Sequence, residues 1–231
     1  METFAQRYEA VLEQIHRAAE RANRSADEIY LIGVSKFHPA EAIQEAAQCG
    51  LHKVGESRVQ EAEQKRQTLA DLPIEWHMVG RLQTNKVKKA LPVFDLIHSV
   101  DTPKLLQSID KESQKQGITA NVLLQVNIGG EESKRGVAVE AFEALLRCYQ
   151  QCSNVQCHGL MTLPPYEDDP EAVRPYFRQL RELAEQYRSE LVGPGNPCCL
   201  SMGMSHDFPV AIEEGATYIR VGTSLFGQRP Y

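Results

Sequence analysis

The chain has 231 residues, 42% of them hydrophobic and 24% charged, a balance that excludes disordered and fibrous classes and describes an ordinary globular protein. Lys and Arg number 25 against 31 Asp and Glu, a net charge of −6, so no global positive field points to nucleic acid or to an anionic membrane surface.

The opening stretch, METFAQRYEAVLEQIHRAAERANRS, carries charges every few positions and has neither a secretory apolar region nor a membrane span, so a cytoplasmic setting is expected. Within it Phe4, Tyr8, Val11, Leu12, Ile15 and Ala18 recur at helical spacing and predict an amphipathic helix. YLIGVSK at 30–36 reads as a first strand ending in Lys36, and Pro39 opens a helix that runs to Gly50. The alternation then repeats. Strands are predicted at 52–56, 74–80, 94–100, 119–127, 155–161, 198–203 and 217–222, with helices at 57–70, 82–91, 102–117, 139–152, 169–191 and 208–215 between them.

Eight short apolar strands alternating with amphipathic helices predict an α/β protein with a parallel sheet, closed as a single (β/α)8 TIM barrel. A doubly wound open sheet is the runner-up. After the eighth strand only SLFGQRPY remains, so the extra N-terminal helix is expected to cover that gap. No linker or composition break divides the chain, which predicts one domain over 1–231. A monomer is the default expectation, since no large apolar patch can be read from the sequence.

The six cysteines contain no C-x-x-C pair and, without an export signal, read as reduced thiols. Cys152, Cys157 and His158 could serve as metal ligands, but on a helix end and a strand they read as small core residues, so no metal is assigned.

In a barrel of this kind the functional site lies where the strands end. SMGMSHD at 201–207 places Ser201, Gly203 and Ser205 before a helix, and RVGTS at 220–224 places Gly222 and Thr223 in the same way. Either loop alone is an ordinary capped turn; together, at the seventh and eighth strand ends, they suggest a phosphate cradle. Closure sets Lys36 beside them. A lysine near an anion cradle suits capture of a phosphorylated aldehyde, although a strand-end lysine paired with an acid such as Glu56 is the plain alternative. Pyridoxal phosphate satisfies both halves, with its aldehyde on the lysine and its phosphate on the loops. Arg220 falls on the same side as Gly222 by strand alternation and would reach the ring or form an interior ion pair. Arg81, Lys86, Lys88 and Lys89 form a dense positive cluster that reads as a solvated face, because no aromatic interleaving supports base stacking. Lys134-Arg135, in the polar loop 129–136, either help to close the site or face solvent.

GVSKFHP at 33–39, GESRVQE at 55–61, WHMVGRLQTNK at 76–86, GLMT at 159–162, LSMGMSHD at 200–207 and IRVGTSLFG at 219–227 resemble the pyridoxal phosphate homeostasis proteins, which are similar to the barrel domain of alanine racemase, a fold type III pyridoxal phosphate enzyme. The resemblance implies pyridoxal 5'-phosphate as cofactor, an internal aldimine on Lys36, and Ser205, Gly222 and Thr223 around the phosphate, with Ser201 and Gly203 close by. It matches Arg220 to the arginine that faces the pyridine nitrogen, and it brings His77 and Ser57 to the cofactor side. Ser57 stands where the family often has Asn. Members are regarded as cofactor carriers or regulators without an established reaction, so no catalytic residue is assigned and apo-enzymes are the implied partners. Alanine racemases use a second domain for their opposing base, which this chain is expected to lack. The alternatives are a weak racemase or lyase using Tyr166 or His77, and a cofactor-free Schiff-base aldolase.

Overall fold

The computed structural model describes residues 2–131 and 134–228; Glu132 and Ser133, inside the predicted polar loop, lie outside them. The first helix, α1 (Phe4–Arg21), starts at a capping box in which Thr3 and Gln6 satisfy each other's backbone N–H groups. Strand β1 (Tyr30–Val34) follows, then α2 (Ala40–Gln48), β2 (Lys53–Glu56), α3 (Val59–Thr68) and β3 (Glu75–Met78). Next come α4 (Val87–Ala90), β4 (Leu96–Val100), α5 (Pro103–Gln116), β5 (Ala120–Asn127), the two-residue β6 (Val137–Ala138) and α6 (Phe142–Tyr149). The chain continues through β7 (Val155–Met161), α7 (Arg174–Gln186), α8 (Arg188–Leu191), β8 (Cys199–Met204), α9 (Phe208–Glu213), β9 (Tyr218–Val221) and α10 (Thr223–Phe226).

The strands hydrogen-bond in the order β4-β3-β2-β1-β9-β8-β7-β5, and a β4–β5 pairing closes the ring. Every pairing is parallel, with Ile97 opposite Val122 at the closing seam and Ile32 opposite Arg220 between β1 and β9. This is the eight-stranded barrel that the alternation predicts, and β6 hangs on β5 alone. Most of the apolar core lies between strands and helices, where Ile43, Val54, Leu106, Ile109, Phe177 and Ile219 are buried. The barrel interior holds a smaller apolar cluster of Leu96, Leu123 and Met161 together with buried polar side chains that include His77, His98, Ser201 and Arg220.

The N-terminal helix covers the seam between β1 and β9, packing on α9 and α10. Phe4 packs on Phe226 with ring centroids 5.4 Å apart, Arg7 donates to the carbonyl of Leu225 at 2.6 Å, and Arg21 pairs with Glu213 at 2.6 Å.

The helix predicted at 169–191 divides into a turn at 170–173, α7 and α8, β6 is additional, and two further elements differ from the sequence reading. The helix predicted at 82–91 shrinks to a turn at 84–86 and the four residues of α4, a segment too short to sustain a longer helix on the buried Val87 and Ala90. Strand β8 carries a register shift, with Ser201 opposite Tyr218 but Met204 opposite Arg220. The extra residue forms a bulge at Met202-Gly203 that reverses which face the following side chains take.

Candidate functional site

The C-terminal ends of the strands open into a cavity of about 350 Å³ whose wall includes Lys36, Ser57, Ser205, Arg220, Gly222 and Thr223. Val34 and Val79 contribute an apolar side, and Leu163, Tyr166, Met204 and His206 form the opposite rim. The volume lies in the usual range for a small-molecule site, roughly 300–1,000 Å³. Lys36 reaches the cavity from the turn after β1, two residues beyond the strand end that register with β9 places next to Gly222.

That turn is held from behind. Glu56, at the end of β2, is completely buried and its Oε1 accepts from Ser35 Oγ at 2.5 Å and from Lys65 Nζ at 2.6 Å. Lys65 also donates to the Ser35 carbonyl at 2.9 Å and to Glu61 at 2.8 Å, while Glu61 accepts the Phe37 N–H at 2.8 Å. Phe37 itself has φ of 68°, a left-handed conformation that a bulky residue adopts only when its surroundings impose it. The acid considered as a partner for Lys36 is thus engaged by Ser35 and Lys65. Burial pushes the Glu56 carboxyl up against the pull of Lys65.

At the glycine and hydroxyl loops, Ser205 Oγ accepts the Gly222 N–H at 3.2 Å, joining the two loops. The N–H groups of Thr223 and Ser224 open α10 and have no acceptor within the helix. Gly203, despite its place in the motif, turns away from the cavity: a Cβ there would lie 2.6 Å from Ala211 Cβ and 2.9 Å from Phe208 Cα. The bulge in β8 is the reason, and the absence of a side chain lets α9 approach behind the loop.

Below the cavity a buried polar chain crosses the barrel. Arg220 donates through Nη1 to Ser201 Oγ at 2.5 Å and through Nη2 to the Thr162 carbonyl at 2.8 Å. Ser201 Oγ lies 2.8 Å from His98 Nδ1, and His98 Nε2 lies 2.9 Å from His77 Nδ1. Burial pulls Arg220 down to about 10, partly opposed by Asp207, which leaves it a cation at neutral pH. Burial, with His77 and Arg220 adding to it, holds the His98 imidazole neutral.

The alanine racemase N-terminal domain family matches residues 8–230. The chain is 50% identical over 226 residues to the pyridoxal phosphate homeostasis protein of Aquifex aeolicus, covering 98% of each, and 40% identical over 231 residues to that of Pseudomonas aeruginosa, covering 100% of this chain and 98% of the other. The chain belongs to the pyridoxal phosphate homeostasis protein family. PipY of Synechococcus elongatus, solved with PLP bound, superposes with a TM-score of 0.80 at 39% identity, covering 93% of this chain and all of that one. An alanine racemase of Clostridium difficile, 13% identical, shares the fold with a TM-score of 0.72 over 95% of this chain and 60% of its own.

Against this family background, six of the nine positions expected at the cofactor come together on one cavity: Lys36, Ser57, Ser205, Arg220, Gly222 and Thr223. Three stand elsewhere. His77 and Ser201 sit one layer down, fully buried, where strand alternation turns them inward but short of the mouth, and Gly203 backs onto α9. Tyr166, 72% exposed, lines the cavity and stacks on His206 with centroids 5.6 Å apart. Arg135 and Arg81 line a separate cleft of about 360 Å³ with Asp101 and Lys104. Cys157 and His158 take opposite faces of β7, His158 bonding to Asn121 at 2.9 Å. His98, Lys65 and Glu61 escape the sequence reading, and Glu56, expected there as an acid for Lys36, is bonded to Ser35 and Lys65. The spacing of Glu61 and Lys65 at i,i+4 on a helix is the one signal that would have pointed to them.

Proposed function

We propose that this chain is a pyridoxal 5'-phosphate-binding protein that stores, protects or delivers the cofactor, and so influences amino-acid and keto-acid balance, with Lys36 as the covalent anchor. The convergence of an amine, a guanidinium and the two joined hydroxyl loops on one cavity carries the reading. The residues fit the group. Ser205, Thr223 and the first N–H groups of α10 would hold the phosphate; Lys36, presented on a clamped turn, would capture the aldehyde carbon. Arg220, fixed by Ser201 and Thr162, would face the ring nitrogen. When bound, pyridoxal phosphate supplies an electrophilic aldehyde conjugated to an electron-withdrawing ring. An arginine donating to that ring keeps the nitrogen unprotonated, which weakens the electron sink and favours holding the cofactor over using it. Delivery to apo-enzymes is the partner reading that accompanies this role, within one domain.

The test is the absorption spectrum of the purified protein and of Lys36→Ala with added pyridoxal phosphate, followed by borohydride and peptide mass analysis. A visible band in the wild type, with pyridoxyl mass on Lys36, is the expected result; a protein that takes up no pyridoxal phosphate overturns the assignment. A second reading, a weak pyridoxal phosphate-dependent enzyme, is favoured by Tyr166 alone, because it lines the cavity. Turnover of an amino acid that falls in Tyr166→Phe would support it. His77 lies too deep to act on a ligand directly.

A further inference from the structure

The buried chain Arg220–Ser201–His98–His77 ends at the opposite face of the barrel beside Glu75. Its Oε1 lies 3.0 Å from His77 Nε2, but Nε2 makes no aligned hydrogen bond among the described residues. The carboxylate therefore acts on the ring as a charge. Glu75 is also paired with Lys53, and the ring of Tyr218 packs on both imidazoles with centroids 5.6 Å away. At the other end the charges are Arg220 and Asp207.

The protons on this chain can be assigned by accounting. Arg220 can only donate, so Ser201 Oγ must offer it a lone pair. With one proton on each imidazole, two arrangements remain for the rest. In one, Ser201 donates its hydroxyl proton to His98 Nδ1, His98 donates from Nε2 to His77 Nδ1, and His77 carries its proton on Nε2, beside the carboxylate. In the other every donor is reversed, and His77 turns a bare Nε2 lone pair toward Oε1 at 3.0 Å, while the Ser201 proton loses His98 as its acceptor. A negative charge beside a lone pair is repulsive and beside an N–H is attractive. Only the first arrangement satisfies both ends.

We infer that Glu75 sets the tautomers of His77 and His98, and through them the direction of the Ser201 hydroxyl, so that Glu75 is a remote positioning residue for Arg220 at the ligand cavity. This rests on the proposed binding of pyridoxal phosphate over Arg220. Both imidazoles then carry a proton on Nε2, and the guanidinium meets a fixed acceptor rather than a rotating hydroxyl. Two of its nitrogens are then tied to Ser201 and Thr162, which orients the remaining donors toward the mouth.

The experiment uses the full chain with 15N-labelled histidine. Long-range 15N–1H spectra of the ligand-free protein are expected to report His77 and His98 as Nε2–H tautomers, and Glu75→Gln, whose amide can present either a donor or an acceptor, is expected to mix or reverse them. In titrations with pyridoxal phosphate, Glu75→Gln is expected to bind about fivefold more weakly, the scale of one lost neutral hydrogen bond, and Glu75→Asp to recover most of that loss. Nδ1–H tautomers in the wild type, or tautomers unchanged in Glu75→Gln, overturn the inference. So do tautomers that change while affinity stays within twofold. A wild type that binds no pyridoxal phosphate sinks the proposed function instead, and the tautomer spectra distinguish that failure. Glu75 is partly exposed, and a thermal melt of each variant separates misfolding from the effect sought.

Discussion

Lys65 and Glu61, one helical turn apart on α3, take hold of the backbone on either side of Lys36: the ammonium donates to the Ser35 carbonyl, and the carboxylate accepts the Phe37 N–H. The amine that anchors the proposed ligand is therefore carried by two peptide groups pinned from beneath, in a turn whose left-handed Phe37 could not persist unaided.

Removing the ammonium leaves the buried Glu56 carboxylate without its cation. Lys65→Met is expected to cost about 3–5 kcal/mol of stability, as for other broken buried pairs. The double variant Lys65→Met/Glu56→Gln should recover part of that loss. Urea unfolding of the three proteins reads both effects, and a single variant as stable as the wild type would show that the clamp is dispensable.

Gly203 stands at φ of 91° with α9 pressed against it. Gly203→Ala combines an unfavourable backbone region with contacts of 2.6 and 2.9 Å, and a loss of about 1–3 kcal/mol is expected from the backbone alone. The loop bearing Ser205 should shift with α9, weakening pyridoxal phosphate binding as well. Unchanged melting and unchanged affinity together would contradict this placement.

Ser205→Ala removes the acceptor of the Gly222 N–H. Affinity for pyridoxal phosphate should fall by about five- to tenfold, the scale of one hydrogen bond near an anion, while Tyr166→Phe should bind as the wild type does. Equilibrium titration of the two variants side by side is the check; equal affinities would remove Ser205 from the cradle.

The His77 ring, against an opposing effect of part burial and with help from Lys53, holds the Glu75 carboxyl down at about 2, below the ordinary 4.5. A carboxylate with a lowered pKa in the folded state contributes stability that is present above its ordinary value and is lost as pH falls. Stability measured between pH 4.5 and 2 should therefore drop on acidification more steeply in the wild type than in Glu75→Gln. Parallel curves for the two proteins would refute the assignment.

The barrel was legible because each strand is a short apolar run bounded by turn residues and each main helix has a periodic stripe, patterns set by local geometry. Lys36, Ser205, Gly222 and Thr223 were legible because they end such runs. His98 was not: within FDLIHSV it is one polar residue beside Ser99 in an apolar strand, and its partner Ser201 lies 103 positions away, so only the register across the barrel reveals the bond. Gly203 misled for a related reason. Simple alternation puts it on the face of Ser201 and Ser205, and the bulge that displaces it leaves no mark in the one-dimensional pattern.

The seam covered by α1 joins the first strand to the last, and the anchor lysine and the hydroxyl loops stand on its two sides. The bond from Arg7 to Leu225 spans 218 positions of sequence, so it belongs to the contacts with the greatest loop-closure cost and the slowest approach. The helix that covers the seam therefore rests on contacts that join the two ends of the chain, with α9 and α10 as its main supports.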